Sequence, residues 1–441
     1  MALIEPLSRE DVAMLRLESP TVRGHALKVA VLGPGRSGAP PDVEALRDRV
    51  AERLARAPRL RCALLEPRAW RRAAWVEDPA FDVREHVRRL PTSEPVSEDG
   101  LRDAVARVME EPLARSRPLW TLDVLHPTAD GGTCLVWKLH HAMADGMTAM
   151  RFADALLWDA PTAAGRFARG RATAPPARSR VGRALSARRP ERLPPTLRRE
   201  LRRSRHPSPF DGSIGRTRTV AFASLPLGAL KRAAKAIDET TTVNDVVLAL
   251  VAGALRRWAG GGPLGGLRVR VPVSLRGGES ATVANRNSFF VVSLPVTEAD
   301  PDERLRRISG ETARCKRAGD PLVLDTLLAD LARVAPPLRR AIERLAGHPR
   351  TFALCVSNIA GPVARPTVLG APVRALYSIA EVGERHGLRV AVVSMADEVH
   401  FGLCADSSIA SDLDPLVAGI HAEASALQQL SGTGRRRHRS V

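Results

Sequence analysis

One stretch divides this chain. From 162 to 209 it is dense in Arg, Pro and Ala and poor in large apolar side chains. Such a composition reads as a linker or loosely packed crossover, because it offers little apolar surface to offset the entropy of ordering. On both sides of it, apolar residues recur at helix and strand periods. The 441-residue chain is also longer than a single hydrophobic core usually supports, roughly 250–300 residues. Two units are therefore expected, at 1–161 and 210–430, with the 162–209 linker between them and a basic, disordered tail at 431–441.

The formal net charge of +19 would by itself suggest nucleic acid or an anionic membrane as partner. Its placement matters more. Residues 166–205 carry 14 Arg against Glu191 and Glu200, and the tail adds Arg435, Arg436, Arg437 and Arg439 without an acid. The two patterned units are left close to neutral. The linker lacks the aromatic–basic interleaving that stacks bases, so no specific nucleic-acid partner is expected. At 44% hydrophobic residues the chain can bury a core, which excludes global disorder. No apolar run approaches the ~20 residues of a membrane span. The first eleven residues carry acids and no long apolar stretch, unlike a signal peptide. Cys62, Cys134, Cys315, Cys355 and Cys404 are scattered, with neither zinc-ligand spacing nor a disulfide framework. A cytoplasmic location and no metal are the expectations.

Periodicity predicts helices over 41–57, 100–109, 147–158, 227–237, 243–258, 302–318, 321–335 and 412–429, with a short basic helix at 195–205. Thr242 reads as the N-cap of the 243–258 helix. Strands are expected at 133–139, 219–225, 267–273, 287–294, 352–357, 373–378, 388–396 and 399–405. Helices and strands mix in both units, so the fold class is α/β or mixed α+β.

The residues that carry chemistry follow the strand TCLVWKL. They are His140, His141, Asp145 and Gly146 in the string HHAMADG. At a strand end successive side chains point to opposite faces, so one imidazole can enter a cleft while its neighbour packs inward. An imidazole is the usual group for taking a proton from an alcohol or thiol near neutral pH. Asp145 could fix the loop or the His tautomer, and Gly146 would permit an unusual backbone angle or the close approach of a substrate. No Ser or Cys sits in a nucleophile-elbow pattern, so direct transfer with a general base is expected rather than an acyl-enzyme. Buried structural histidines or metal ligands are the alternatives. A metal would call for further ligands beyond Asp145.

HHAMADG resembles the HHxxxDG motif of the CoA-dependent acyltransferases, which include chloramphenicol acetyltransferase, plant alcohol acyltransferases and the condensation domains of peptide synthetases. PLSREDVAMLRLES at 6–19, RSRPLW at 115–120, TVNDVVLALVAGALRRW at 242–258, PVSLR at 272–276, ANRNSFFVVSLP at 284–295, SNIAGP at 357–362 and LRVAVVSMADEVHFGLCADSSIASDLDPLVAGI at 388–420 are similar to ordered motifs of the bacterial wax ester synthase/acyl-CoA:diacylglycerol acyltransferase family. The chain departs from that family near Met14 and at Ile359-Ala360, where Val-Pro is usual.

The resemblance implies two chloramphenicol acetyltransferase-like lobes, each a mixed sheet flanked by helices, with a channel between them. It implies acyl transfer from acyl-CoA to the hydroxyl of diacylglycerol or a long-chain alcohol, giving triacylglycerol or wax ester. Acyl-CoA is then a co-substrate and no cofactor is needed. His141 would be the general base, His140 a supporting residue, and Asp145 a shaper of the loop. Asn244, Asp245, Pro118, Leu119, Trp120, Ser357, Asn358 and Gly361 would line the substrate side. Helix capping is the competing role for Asn244 and Asp245, scaffold for Pro118 to Trp120, and a structural turn for Ser357 to Pro362. Two other functions are weighed: transfer to a hydroxyl or amine of a specialised metabolite, and a non-catalytic protein that coats lipid surfaces. The Arg-rich segments suit peripheral association with an anionic membrane or lipid droplet.

Overall fold

The computed structural model describes residues 4–35, 41–66, 73–91, 95–129, 131–162, 195–260, 264–274, 287–318 and 336–437. The helix expected at 321–335 and most of the 162–209 linker lie outside them. In chain order the first part holds β1 (Ile4–Pro6), α1 (Arg9–Arg16), β2 (His25–Leu32), α2 (Val43–Arg53), β3 (Cys62–Leu65), β4 (Ala74–Glu77), α3 (Val83–His86), β5 (Val87–Arg89), α4 (Glu98–Glu110), β6 (Trp120–Leu125), β7 (Thr133–His140) and α5 (Gly146–Leu156). The second part holds α6 (Pro195–Glu200), β8 (Arg218–Pro226), α7 (Leu227–Ile237), α8 (Val243–Trp258), β9 (Leu267–Ser274), β10 (Asn287–Leu294), α9 (Pro301–Ala318), α10 (Pro336–Ala346), β11 (Leu354–Ala360), β12 (Thr367–Val368), β13 (Ala371–Ala380), β14 (Leu388–Met395), β15 (Glu398–Asp406) and α11 (Asp414–Arg437).

Two six-stranded sheets organise these elements, in the orders β12-β13-β2-β7-β6-β5 and β10-β9-β11-β14-β15-β8, beside a small β1-β4-β3 sheet. Both large sheets mix parallel and antiparallel pairs. The sheets do not divide where the sequence pattern does. The strand expected at 373–378 within the second unit is β13, and it pairs antiparallel with β2 of the first, Ser378 opposite Lys28 and Ala380 opposite Ala26. Strand propensity is local, whereas the choice of partner depends on which apolar faces meet. Of the 431–441 tail, residues up to Arg437 continue α11, and 438–441 lie outside the described residues. Once a packed helix is nucleated, each further residue adds one hydrogen bond at little cost.

Three apolar clusters hold the layers together. One covers the outer face of the second sheet with α7, α8 and α11, through Leu230, Val247, Leu250 and Ile420. A second joins α2 and α5 to the first sheet through Leu46, Trp137, Leu139 and Met150, and includes Val393 and Met395 of β14. The third joins β2 and β7 to α4, β8 and β15 through Leu27, Val136, Val105, Phe222 and Cys404. The inner faces of the two sheets therefore share apolar cores. Lys138, fully buried on β7, donates to the Val108 and Glu111 carbonyls at 2.9 and 2.8 Å. It thus caps the negative C-terminal end of α4.

The described end of the linker is not a solvated coil. Glu200 and Leu201 are buried, and Arg268 donates to the carbonyls of Arg199, at 2.7 Å, and of Arg202 and Thr351. Val291 N–H donates to Glu200 at 3.0 Å. Burial pushes the Glu200 carboxyl up to about 7, against the pull of Arg268 and Arg199.

On the far side of the second sheet, Arg304 of α9 meets Glu423 of α11, each with its side chain 1% exposed, and Arg257 of α8 reaches the other Glu423 oxygen at 2.7 Å. Removing one member of such a buried pair strands the other. Glu423→Leu should therefore lower the stability seen in urea unfolding by about 3–5 kcal/mol. The Arg304→Met/Glu423→Leu double variant should recover most of that loss.

Candidate active site

The two histidines sit where β7 ends. The His140 N–H donates to the Leu119 carbonyl at 2.9 Å, and the His141 N–H to the Gly24 carbonyl at 2.8 Å. Ala144 N–H then donates back to the His140 carbonyl, closing a turn that delivers the chain to α5. Asp145 is the N-cap of that helix and accepts from Thr148 N–H at 2.7 Å. Its expected role in shaping the loop thus has a specific form: one carboxylate oxygen satisfies a free helix N–H.

The two imidazoles have opposite surroundings. His140 is buried. Ala142 N–H donates to its Nδ1 at 3.0 Å, so Nδ1 carries the lone pair and the proton rests on Nε2. That nitrogen lies 2.5 Å from Glu18, whose other oxygen lies 2.5 Å from Arg115. Burial raises the Glu18 carboxyl, but His140 and Arg115 outweigh it and hold it below the usual value. His25 packs edge-on against His140. Burial, with the Lys138 charge, pushes it down to about 3, so it is neutral. Gly24 has a φ of 69°, and a Cβ there would lie 2.7 Å from His140 Nε2. Glycine is required on both counts.

His141 is only partly buried. Burial first, and then the Arg389 charge, push its pKa down to about 4, against the opposing pull of Asp145. The imidazole is therefore neutral at physiological pH. Lys28, on β2, is buried near the same loop and donates to Ser378 Oγ at 2.7 Å. Burial pulls its pKa down to about 8 despite the Asp145 charge. Arg389, from β14, donates to the Glu381 carbonyl at 3.1 Å. Glu381 in turn accepts from the backbone N–H of Arg23 and His25 and pairs with the buried Arg218. One chain of contacts thus ties the second sheet to the segment that carries Gly24.

The other predicted residues take supporting positions. Leu119 and Trp120 are buried, and Trp120 Nε1 donates to the Leu60 carbonyl at 2.7 Å. With Pro118 they precede and open β6, and the Leu119 carbonyl, which accepts from His140 N–H, ties this segment to the motif. Asp245 forms a capping box with Thr242 and accepts from Thr312 Oγ1 at 2.6 Å. Both its oxygens are used in holding α8, the capping role weighed for it, and Asn244 beside it opens the same helix. Ser357 and Asn358 do not form the expected turn. They lie on β11, parallel to β14 and opposite Ala391 and Val392. Gly361 follows that strand and donates its N–H to the Ser394 carbonyl at 2.9 Å.

A cleft of about 290 Å³ lies between α4 and β8, lined by Asp99, Arg102, Asp103, Asp412 and Asp414 among others. It contains none of the motif residues. Among the described residues no cluster of His, Cys, Asp and Glu is arranged to hold a metal ion. Glu18, Lys28, Arg115 and Arg389 were not singled out by the sequence. Glu18, Arg115 and Arg389 carry a signal there only as members of the 6–19, 115–120 and 388–420 segments.

Gly146 is needed for a close approach within the fold itself. A Cβ at this position would collide with Ile359 Cδ1. Gly146→Ala should lower stability by about 1–3 kcal/mol through overpacking, read from the urea midpoint. Adding Ile359→Val removes the colliding atom and should restore the midpoint.

The comparisons agree with this geometry. Residues 7–198 match the wax ester synthase/diacylglycerol acyltransferase catalytic domain, and 283–428 match the WS/DGAT C-terminal domain. A putative diacylglycerol O-acyltransferase of Mycobacterium tuberculosis is 30% identical over 94% of this chain and 95% of its own length. A second from that organism, a probable diacylglycerol O-acyltransferase, is 29% identical over 89% and 90%. The solved wax ester synthase/diacylglycerol acyltransferase of Marinobacter aquaeolei VT8 superposes with a TM-score of 0.71 at 23% identity, covering 97% of this chain and all of that one. The first condensation domain of the calcium-dependent antibiotic synthetase shares the fold with a TM-score of 0.60 at 17% identity, covering 97% and 96%. The chain belongs to the wax ester synthase/diacylglycerol acyltransferase family of O-acyltransferases.

Proposed function

We propose that this enzyme transfers a long-chain acyl group from acyl-CoA to the hydroxyl of diacylglycerol or a fatty alcohol, with His141 as general base and no acyl-enzyme. The observation that carries the mechanism is the contrast between the histidines. His140 has both ring nitrogens engaged, by Ala142 N–H and Glu18. His141 is neutral and partly open to solvent. Its imidazole takes the proton of the acceptor hydroxyl as the oxygen attacks the thioester carbonyl carbon. The C–S bond then breaks, and the imidazolium returns the proton to the departing CoA sulfur. Negative charge passes through the thioester oxygen, and the Arg389 cation beside His141 favours it. His140, Glu18 and Arg115 act as positioning residues, because they fix the strand end from which His141 projects. Peripheral association with a membrane or lipid-droplet surface belongs to this reading, since both product classes are water-insoluble. Among the described residues no helix is long and apolar enough to cross a membrane.

The acceptor is tested by release of CoA thiol from palmitoyl-CoA with diacylglycerol, hexadecanol or a specialised-metabolite alcohol in turn. Diacylglycerol or hexadecanol should support turnover. Activity confined to the metabolite would overturn the assignment. His141→Ala should reduce acceptor-dependent release by about 10²–10⁴-fold, the usual contribution of a general base. Undiminished release would remove His141 from that role.

The depressed pKa sets the pH profile. A base acts only when unprotonated, so kcat/KM should stay level down to about pH 5 and fall as pH approaches about 4. Arg389→Met removes a charge that opposes protonation, so the acid limb should move to higher pH. It should remain below 6.5, because burial, the larger cause, persists. A limb that stays in place would remove Arg389 from the electrostatics of the site.

A further inference from the structure

We infer that Arg270 and Arg389 form an anion site beside the catalytic loop, and that this site selects an acceptor alcohol carrying a carboxylate, a hydroxy acid. The inference rests on the acyl-transfer reading above and extends its acceptors to a charged class. β9, β11 and β14 are neighbours in the second sheet, and their register aligns Arg270, Cys355 and Arg389 in one row. The residues flanking that row along the strands, Val269, Leu354, Val356 and Val390, belong to the outer core under α7, α8 and α11. Side chains alternate along a strand, so the row faces the other way, toward the first sheet. The same face carries Ile359, four residues beyond Cys355, whose Cδ1 sits where a Cβ on Gly146 would fall. The face is therefore the one that HHAMADG packs against. Arg270, Cys355 and Arg389 are all partly open on it, as is His141.

The two cations lack counter-ions. Arg59, Arg218 and Arg304 each meet a carboxylate in the interior, whereas among the described residues Arg270 and Arg389 meet only carbonyls. Arg270 stacks on Phe289 and Phe352, with its guanidinium carbon 4.0 and 3.8 Å from the ring centres. Stacking uses the faces of the planar group and leaves its edge of N–H donors for hydrogen bonds. One donor reaches the Ala346 carbonyl at 2.7 Å, and Arg389 gives one to the Glu381 carbonyl. The Nε of each is buried without a partner. Glu200, whose charge Arg270 feels, accepts from Val291 N–H instead. Burial pulls Arg270 down to about 10, with Arg389 adding to the pull and Cys355 and Glu200 opposing it, so the group stays charged at neutral pH. Two strand spacings, about 10 Å, separate the two cations. Keeping both there is costly unless an anion joins them.

Position identifies the anion. Arg389 exerts the largest charge effect on His141, so an anion held beside it lies close to the base. The phosphates of CoA stand a whole pantetheine arm away from its sulfur, and the acyl chain is apolar. The anion therefore belongs to the molecule whose hydroxyl is deprotonated. A carboxylate fits because its two oxygens match the fork of a guanidinium. The chemistry is otherwise unchanged. The hydroxyl gives its proton to His141 and its oxygen bonds to the thioester carbon. The C–S bond breaks, the sulfur takes the proton, and the products are an acyloxy acid and CoA.

The test uses the full chain with palmitoyl-CoA and either 3-hydroxypalmitate or its methyl ester, which present the same hydroxyl with and without the charge. The kcat/KM should favour the acid by about tenfold or more, the effect of hydrogen bonds to a charged group. Arg270→Met should remove most of this acid-over-ester preference, and Arg270→Lys should keep part of it. The preference is a ratio within each protein, so a loss of folded enzyme cancels. Cys355 gives a second reading that needs no turnover, because the other four cysteines are buried. Relative to iodoacetamide, iodoacetate should alkylate Cys355 faster than it does a free thiol, and Arg270→Met should reduce that advantage. The site is overturned if the ester is used as well as the acid, or if Arg270→Met leaves both ratios unchanged. A stronger preference for a phosphate-bearing alcohol would overturn the choice of carboxylate. An iodoacetate advantage that Arg270→Met removes, with no acceptor acylated at all, would instead defeat the acyl-transfer reading and leave the anion site standing.

Discussion

Everything at the catalytic end depends on the pairing of β13 with β2. That ladder takes a strand from the second half of the chain and hydrogen-bonds it to the first sheet from Ala380 opposite Ala26 to Val373 opposite Leu32. It places Ser378 under the Lys28 ammonium and leads the chain directly into Glu381, which takes the backbone N–H of His25. Arg218 then locks Glu381 to Asp406. A slip of one residue would turn every β13 side chain to the opposite face. Lys28 would then lose Ser378, and an unpaired buried ammonium costs far more than one hydrogen bond returns. The register is therefore held by polar contacts as well as by apolar packing, and so is the position of the Arg389 charge beside His141.

The sequence disclosed what is local. The helices at 227–237 and 243–258 were legible to the residue, because an apolar stripe and a Thr242–Asp245 capping box mark their limits. HHAMADG was legible as chemistry for the same reason, being contiguous. The partner of the 373–378 strand was not, since nothing in ten residues states which sheet they join. Strand β2, HALKVAVL, escaped notice because Lys28 interrupts its apolar run, and only the fold explains why a lysine is buried there. Glu18 is legible only as part of a family motif. Its contact with His140 spans more than a hundred residues of chain, and no spacing rule reaches that far.

The same reasoning separates the two histidines. Adjacent in sequence and chemically identical, they differ in what surrounds them. His140 meets a donor on one nitrogen and a carboxylate at the other, which fixes its tautomer. His141 meets burial and a cation, which keep it unprotonated. A neighbouring cation weakens a base toward protons in the resting enzyme, yet it favours the anionic oxygen through which acyl transfer passes. In the proposed reaction, whose transition state gathers negative charge on substrate, this arrangement would trade basicity for stabilisation where the charge develops.

Charge also reads differently in three dimensions. The +19 total suggested a uniformly cationic protein, yet several arginines counted in it are interior staples. Arg268 holds the carbonyls of the linker's end, Arg218 joins the two sheets, and Arg59 joins the small sheet to the HHAMADG loop. A guanidinium suits these places because its planar fork can serve several carbonyls or carboxylates at once while remaining charged. Such groups contribute to the formal count but project little field into solvent.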